Sequence, residues 1–208
     1  MNKNQTIIFS LLAVGYTLST ITGVYAFSWL VKLLPIALLI FITSKHLGNR
    51  ANKIFIVGLV FSGMGDFFLA YDPTNWFVFG LGSFLIAHLF YMLSFFPIEK
   101  KQLHVAVSYI VFGVAIFSVI EPGLDKLFIP VLAYMVILLM MAIVTLLSKQ
   151  SNFWLILGGI SFAVSDSLLG VNKFSEPLTN ANILIMGTYY LAQYSLVKGM
   201  LSTIQTKK

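Results

Sequence analysis

The 208-residue chain is 59% hydrophobic and only 10% charged. A soluble domain carries about 25% charged residues because water must wet its surface, so this composition excludes an ordinary soluble domain. The formal net charge of +6 does not indicate nucleic-acid binding, because the basic residues lie in short segments between apolar runs and suit anionic lipid head groups. The chain has no cysteine, which excludes disulfides and thiolate metal ligands.

Eight apolar segments predict eight transmembrane helices in one all-α domain over residues 1–208. Several segments approach or exceed the roughly 18 residues that cross the hydrocarbon core of a bilayer. The predicted spans are about 5–25, 27–44, 54–71, 76–97, 103–120, 127–148, 153–171 and 181–203. The first segment is expected to be a retained helix, because it is longer than a typical signal segment and leads directly into further spans.

The distribution of basic residues predicts that both termini lie in the cytoplasm. With the N-terminus inside, the cytoplasmic segments hold Lys3, Lys45, Arg50, Lys53, Lys100, Lys101, Lys149, Lys207 and Lys208. The opposite side has only Lys126 and Lys173, each near acidic residues. This asymmetry follows the positive-inside rule, so we expect a multi-pass protein of the bacterial inner membrane.

Two of the seven acidic residues fall inside predicted spans, Asp66 in the third and Asp166 in the seventh. Both lie about 12 or 13 residues from the predicted cytoplasmic start, which is roughly 18–20 Å along a helix axis. An ionised carboxylate exposed to lipid at this depth would cost at least ~2.5 kcal/mol, so both should face the bundle interior or a wet cavity. Packing or capping roles stay open, but two aspartates at matching depth favour a functional site.

Small residues accompany both aspartates. Gly58 and Ser62 precede Asp66 at intervals of four residues, and Gly158 lies on the same helix face as Asp166. Small side chains let helix backbones approach closely, which predicts that the two aspartates come together. The segments GDFFLA and SDSLLG around them also align, which suggests a parallel repeat of two four-helix halves.

Five further polar residues inside predicted spans are candidate substrate-binding groups: Lys32, His88, Tyr91, Tyr190 and Gln193. Lys32 either extends to the outer surface or points inward, where it would meet the aspartates or a substrate phosphate. His88 is either a buried structural histidine or part of the site. Tyr190 lies too near mid-span for an interfacial belt. No cofactor is expected, and the spacing of paired metal ligands is missing.

Four motifs follow one another across nearly the whole chain: SGMGDFFLA, WFVFGLGSFLIAHLFYMLSFF, GGISFAVSDSLLGVNKF and YYLAQYSLV. Together they resemble the YhhN family of eight-span membrane proteins, whose characterised animal members are lysoplasmalogenases. The resemblance implies hydrolysis of the vinyl ether bond of a lysoplasmalogen, a lysophospholipid, to a fatty aldehyde and glycerophosphoethanolamine or glycerophosphocholine. It places the family's two in-membrane aspartates, its suspected catalysts, at Asp66 and Asp166, and its histidine and tyrosine positions at His88, Tyr91 and Tyr190.

The implied reaction suits a pair of carboxyl groups. Vinyl ether hydrolysis begins with protonation of the outer alkene carbon, which needs a carboxylic acid that is still protonated near neutral pH. Burial and a neighbouring carboxylate favour the protonated form of one group, while the ionised partner orients water and stabilises the oxocarbenium ion. The working hypothesis has Asp66 as the acid, Asp166 as the base and Lys32 at the substrate phosphate, with the pair titrating as a unit.

Two other functions stay open at this point. The GMGD segment at residues 63–66 fits the GxGD pattern of intramembrane aspartyl proteases, with YD at residues 71–72, although that group has its YD in an earlier helix. A proton-coupled transporter would also use buried Asp, Lys and His. Against a transporter, the short chain leaves little room for broken helices, and only Pro35 and Pro130 are available as breakers.

Overall fold

The computed structural model describes residues 1–21, 23, 25–99 and 103–205, and these residues form eight α-helices. The helices are α1 (Lys3–Ser19), α2 (Ser28–Ser44), α3 (Arg50–Tyr71), α4 (Phe77–Ser94), α5 (Leu103–Ile120), α6 (Phe128–Leu147), α7 (Phe153–Phe174) and α8 (Ala181–Gln205). Two short 3-10 turns connect α5 to α6. The all-α fold class is therefore confirmed.

Several helices are suited to a lipid bilayer. Five helical stretches within the described residues are long and apolar enough to cross a membrane: Arg50–Tyr71, Phe77–Ser94, His104–Gly123, Asp125–Leu147 and Phe153–Phe174. Large apolar side chains such as Leu11, Phe79 and Ile129 are exposed on the outer faces of the helices. A surface of this kind suits lipid better than water, as expected for a multi-pass membrane protein.

The predicted end of the first span is wrong. The prediction extends to residue 25, whereas α1 ends at Ser19. The hydroxyls of Ser19 and Thr20 both donate to the carbonyl of Tyr16 and so take part in closing the last turn. Gly23 then has a φ of +121°, a conformation that only glycine adopts readily, so the chain leaves the helix before the apolar run is complete.

Asparagine side chains begin the two helices that carry the aspartates. Asn49 accepts the backbone N–H of Asn52, and Asn152 accepts the N–H groups of Trp154 and Leu155. An N-cap of this kind satisfies donors that the helix leaves unpaired. The cap starts α3 at residue 50, four residues earlier than the sequence predicts, and starts α7 at the predicted position.

Glycines set the closest helix contacts. A Cβ at Gly58 would lie 2.6 Å from the ring of Tyr91, and a Cβ at Gly158 would lie 2.7 Å from Leu196. Consequently α3 packs tightly on α4, and α7 packs tightly on α8. The small-residue faces do bring backbones together, but they join α3 to α4 and α7 to α8. The sequence predicts that these faces bring the two aspartates together, and the two glycines instead contact Tyr91 of α4 and Leu196 of α8.

The helices contain no interruption at their prolines. Pro35 lies inside α2, which continues from Ser28 to Ser44. Pro130 lies in the first turn of α6, where the missing N–H removes no hydrogen bond within the helix. Among the described residues, neither proline produces the unwound segment that a carrier with discontinuous helices would use.

Candidate active site

Asp66 is buried on α3 and has two direct partners. Lys32 of α2 places Nζ 3.2 Å from Oδ1, and Tyr189 of α8 donates its hydroxyl to Oδ2 at 2.5 Å. Only 1% of Asp66 is exposed. Lys32 therefore points into the bundle and not toward the surface, because a buried carboxylate needs a nearby counter-charge.

A chain of hydrogen bonds extends from Asp66 into α4 and α8. Gln193 donates from Nε2 to Ser62 Oγ at 2.5 Å and to the hydroxyl of Tyr189 at 3.2 Å, and Tyr91 donates to Gln193 Oε1 at 2.9 Å. We call this set the Asp66 network: Lys32, Ser62, Asp66, Tyr91, Tyr189 and Gln193. Because its members are buried and hydrogen-bonded to one another, the network holds four helices in fixed register.

Tyr190 lies beside this network without joining it. Its hydroxyl donates to the backbone carbonyl of Lys32 at 3.0 Å, so it ties α8 to the backbone of α2. Its ring packs edge-on against Phe9 and Tyr16 of α1. Its ring also contacts that of Tyr189, with centroids 5.4 Å apart, and the described hydrogen bond of Tyr190 goes to neither carboxyl group.

Asp166 has its own set of partners on α4 and α6. Tyr134 donates its hydroxyl to Asp166 Oδ2, and His88 Nε2 lies 3.5 Å from the same oxygen. His88 Nε2 also lies 3.1 Å from the Tyr134 hydroxyl. We call His88, Tyr134 and Asp166 the Asp166 cluster. His88 is completely buried, and its Nδ1 has no hydrogen-bond partner among the described residues.

A cavity of about 50 Å³ lies beside the Asp166 cluster. Five helices, α3 to α7, contribute its walls, which are almost entirely apolar. Among the lining residues that the structure describes, Asp166 contributes a carboxyl group, and Tyr134 and Ser167 add hydroxyl groups. A space of this size next to polar atoms has room for water. The cavity therefore offers an apolar space with room for water, and the carboxyl group of Asp166 lies on its wall.

Phe162 lies between the two polar sets. The centroid of its ring is 4.6 Å from that of His88 and 5.6 Å from that of Tyr189. The two carboxyl groups share no hydrogen-bonding partner within the described part of the chain. They form neighbouring sites on either side of an aromatic ring, and not a directly hydrogen-bonded pair.

The sequence does not predict two tyrosines that contact the carboxyl groups, Tyr189 at Asp66 and Tyr134 at Asp166. Tyr189 precedes Gln193 by four residues, so the shared helix face was available as a signal. Tyr134 is a lone hydroxyl in the middle of the apolar helix α6, and a buried tyrosine hydroxyl usually finds a partner. The sequence carries no indication that these partners are Asp66 and Asp166.

The YD segment belongs to the end of α3. Asp72 accepts the side-chain amide of Asn75 and the backbone N–H groups of Asn75 and Thr74. These hydrogen bonds, chiefly those from Asn75, stabilise the carboxylate and lower the pKa of Asp72. Asp72 thus caps a turn, which accounts for the YD segment without a protease function.

The helices and buried polar sets define a class: an all-helical protein suited to a membrane, with ionisable side chains in its interior. Residues 27–200 match the sequence pattern of the YhhN family over most of the chain. The chain belongs to the YhhN family.

Several relatives carry the name lysoplasmalogenase. One from Mycobacterium tuberculosis is 33% identical over 138 residues, which cover 62% of this chain and 53% of that protein. Human lysoplasmalogenase TMEM86A is 33% identical over 80% of this chain and 75% of its own length. Human lysoplasmalogenase TMEM86B is 31% identical over 80% of this chain and 72% of its own length. The chain thus spans about half the length of the mycobacterial relative and about three quarters of the human ones. No solved structure gave a significant match.

Proposed function

We propose that this protein is a lysoplasmalogenase, a membrane hydrolase that cleaves the vinyl ether bond of a 1-alkenyl lysophospholipid. The products are a fatty aldehyde and glycerophosphoethanolamine or glycerophosphocholine. The observation that carries the proposal is the position of Asp166, a carboxyl group on the wall of an apolar cavity. The names of the mycobacterial and human relatives support the same reaction.

In the proposed reaction Asp166 first acts as the acid. Its carboxylic proton goes to the outer alkene carbon, and the ether oxygen shares its electrons to give an oxocarbenium ion. A water molecule then attacks the carbon bonded to oxygen, while the Asp166 carboxylate accepts the proton that this water loses. The resulting hemiacetal breaks into the aldehyde and the free hydroxyl of the glycerophospho product. One water molecule is consumed, and Asp166 regains its proton.

This assignment reverses the working hypothesis from the sequence. Asp66 already has a cationic partner in Lys32 at Oδ1 and a donor in Tyr189 at Oδ2, so both of its oxygens are engaged within the protein, whereas Asp166 lines the cavity. We propose that Asp66, through these contacts, holds the surrounding helices in place. Lys32, Tyr91, Tyr190 and Gln193 then act chiefly by supporting this arrangement. Lys32 pairs with the Asp66 carboxylate, Tyr91 and Gln193 belong to the same hydrogen-bonded network, and Tyr190 binds the backbone carbonyl of Lys32.

The proposed topology has eight transmembrane spans with both termini in the cytoplasm of a bacterial cell and the helices in the inner membrane. Basic residues at and just before the start of α3 (Lys45, Arg50 and Lys53), and Lys149 between α6 and α7, support it. A parallel repeat of two four-helix halves is supported by the tight pairs α3/α4 and α7/α8, which occupy equivalent positions in the order of helices.

Turnover by purified protein tests the proposed function. In detergent or liposomes, a 1-alkenyl lysophospholipid should yield a fatty aldehyde that mass spectrometry detects, while the matched 1-acyl lysophospholipid should remain intact. Cleavage of a transmembrane peptide without aldehyde release would instead indicate a protease. Substrate flux into liposomes without any chemical change would indicate a carrier. Either of these two results contradicts the proposal.

A further inference from the structure

Tyr134 contacts the proposed acid and also lines the same cavity. Its hydroxyl donates to Asp166 Oδ2, and its side chain forms part of the cavity wall. Only 8% of Tyr134 is exposed, and it lies in the most apolar of the five candidate membrane spans. A buried hydroxyl in such surroundings is stabilising only when it is hydrogen-bonded, so its contact with Asp166 is the reason why a tyrosine is tolerated there.

The two oxygens of Asp166 are in different positions. Oδ2 accepts the Tyr134 hydroxyl and lies 3.5 Å from His88 Nε2, whereas Oδ1 has no hydrogen-bond partner among the described residues. An oxygen that accepts a hydrogen bond behaves as the carbonyl-like side of a carboxylic acid, which leaves the proton on the other oxygen. The acidic proton would therefore reside on Oδ1, which is free to face a substrate.

His88 completes the arrangement from behind Tyr134. A tyrosine hydroxyl has a single proton, and once that proton is donated to Asp166 the oxygen can accept from His88 Nε2 at 3.1 Å. This fixes the histidine tautomer with its hydrogen on Nε2. The unpartnered Nδ1 agrees, because a hydrogen at that buried position would have no acceptor. The ring of Phe162 packs edge-on against His88 and holds its orientation.

We propose that Tyr134 and His88 are positioning residues: the Tyr134 hydroxyl, held by His88, occupies Asp166 Oδ2, so that Oδ1 carries the proton toward the alkene carbon. The inference rests on the proposed vinyl ether hydrolysis and adds the residues that decide which oxygen reacts. In the acid step the O–H bond at Oδ1 breaks as the new C–H bond forms from the alkene electrons. In the water step Oδ1 takes back one proton. His88 acts only through Tyr134 and does not itself deliver a proton.

Four single variants and one double variant test this inference with a 1-alkenyl lysophospholipid as substrate. Tyr134→Phe removes the hydroxyl, His88→Gln keeps an N–H donor near the position of Nε2 but cannot titrate, and His88→Leu removes both properties. Tyr109→Phe is the matched control, because the half-buried Tyr109 lies on α5 outside the cavity lining. The double variant combines Tyr134→Phe with His88→Leu. Melting temperature and gel-filtration profile establish that each variant is folded.

We expect Tyr134→Phe to lower kcat by about tenfold or more with KM within about twofold of wild type, because only the reacting geometry is lost. His88→Gln should stay within about threefold of wild type, and His88→Leu should resemble Tyr134→Phe. The double variant should be no slower than Tyr134→Phe alone, since a residue that acts through Tyr134 has nothing left to position.

Three results would overturn the inference while leaving the proposed function intact. They are a Tyr134→Phe enzyme as fast as Tyr109→Phe, a double variant whose losses multiply, or a His88→Gln enzyme as slow as His88→Leu. The last result would assign proton transfer to the imidazole. A folded wild-type protein that releases no aldehyde would instead overturn the proposed function and the inference together.

Discussion

Lys32 and Asp66 show how a single residue pair is constrained inside a membrane protein. Burying either charge alone at this depth would cost free energy. Their separation of 3.2 Å within a hydrogen-bonded network offsets much of that cost. The sequence predicts that Asp66 avoids lipid, and it leaves two directions open for Lys32. The structure selects the inward direction, because the end of Lys32 reaches the carboxylate from α2.

Lys32→Met should destabilise the protein by about 3–5 kcal/mol, because it leaves Asp66 as an uncompensated buried charge. Adding Asp66→Asn to this variant should recover most of the loss, since the remaining groups are neutral. Thermal unfolding in detergent measures both effects. Lys53→Met, which removes an exposed lysine, should change stability by no more than about 0.5 kcal/mol. A Lys32→Met protein as stable as Lys53→Met would contradict the role of the ion pair.

At the residue scale, the sequence predicts that the two aspartates are buried, but it does not predict which side chains they hydrogen-bond. The two aspartates stand out in the sequence because an ionisable group in an apolar run must face the interior. Tyr134 and Tyr189 do not stand out, because tyrosine also occurs at interfaces and in cores. Their roles depend on how α6 is rotated against α7 and α8 against α3, and that rotation is set by the packing of the whole bundle.

At the scale of elements, α5 covers the lipid side of the Asp166 cavity. Phe112, Gly113 and Ile116 line the cavity, while Val111 and Val114 are exposed on the outer face of the same helix. A cavity of about 50 Å³ is too small for a long alkenyl chain, so substrate must displace part of its wall. We therefore expect α5, which lines the cavity on one face and is exposed on the other, to be the part of the wall that substrate displaces.

Gly113→Val should lower the activity of the enzyme, because it alters the α5 side of the cavity wall. A Cβ at Gly113 would overlap Cδ1 of Leu139, so the larger side chain must displace the end of Leu139, which also lines the cavity, or separate α5 from α6. We expect kcat/KM to fall by about tenfold for a long-chain alkenyl substrate, measured by aldehyde release. Gly82→Val is the matched control, because a Cβ at Gly82 meets nothing within 4 Å. Equal activity of the two variants would contradict the expectation that substrate reaches Asp166 by displacing α5.

The existence of each helix could be predicted, but several helix ends could not. Apolar runs longer than a bilayer needs leave little choice but a helix. The ends depend on local hydrogen bonds, as with Asn49 at the start of α3 and Ser19 at the end of α1. Such hydrogen bonds move a helix end by only a few residues, and a hydropathy pattern does not locate helix ends that closely.

At the scale of the whole molecule, the fold class follows from composition, while the packing order of the helices does not. The sequence suggests that small residues join the two aspartate-bearing helices. In the structure, Gly58 and Gly158 serve the contacts of each helix with the next one along the chain. The tightest contacts join helices that are neighbours along the chain, and the two aspartates lie in adjacent sites with separate partners.

The proposed topology can be tested directly because the chain has no cysteine. Single substitutions Lys126→Cys and Ser151→Cys place one thiol in the loop before α6 and one in the loop before α7. A membrane-impermeant maleimide added to intact cells should label Lys126→Cys and not Ser151→Cys. Both should react once the cells are opened. Labelling of Ser151→Cys in intact cells would reverse the orientation.

The role of Asp166 as the proton donor is the central claim, and the rate of aldehyde release by Asp166→Asn tests it most directly. Asparagine keeps the shape of the side chain and cannot donate a carboxylic proton. With a melting temperature close to that of wild type, Asp166→Asn should release aldehyde at least about 100-fold more slowly, because general acid catalysis contributes on the order of 10²–10⁴-fold. A folded Asp166→Asn enzyme that releases aldehyde at the wild-type rate would contradict the account.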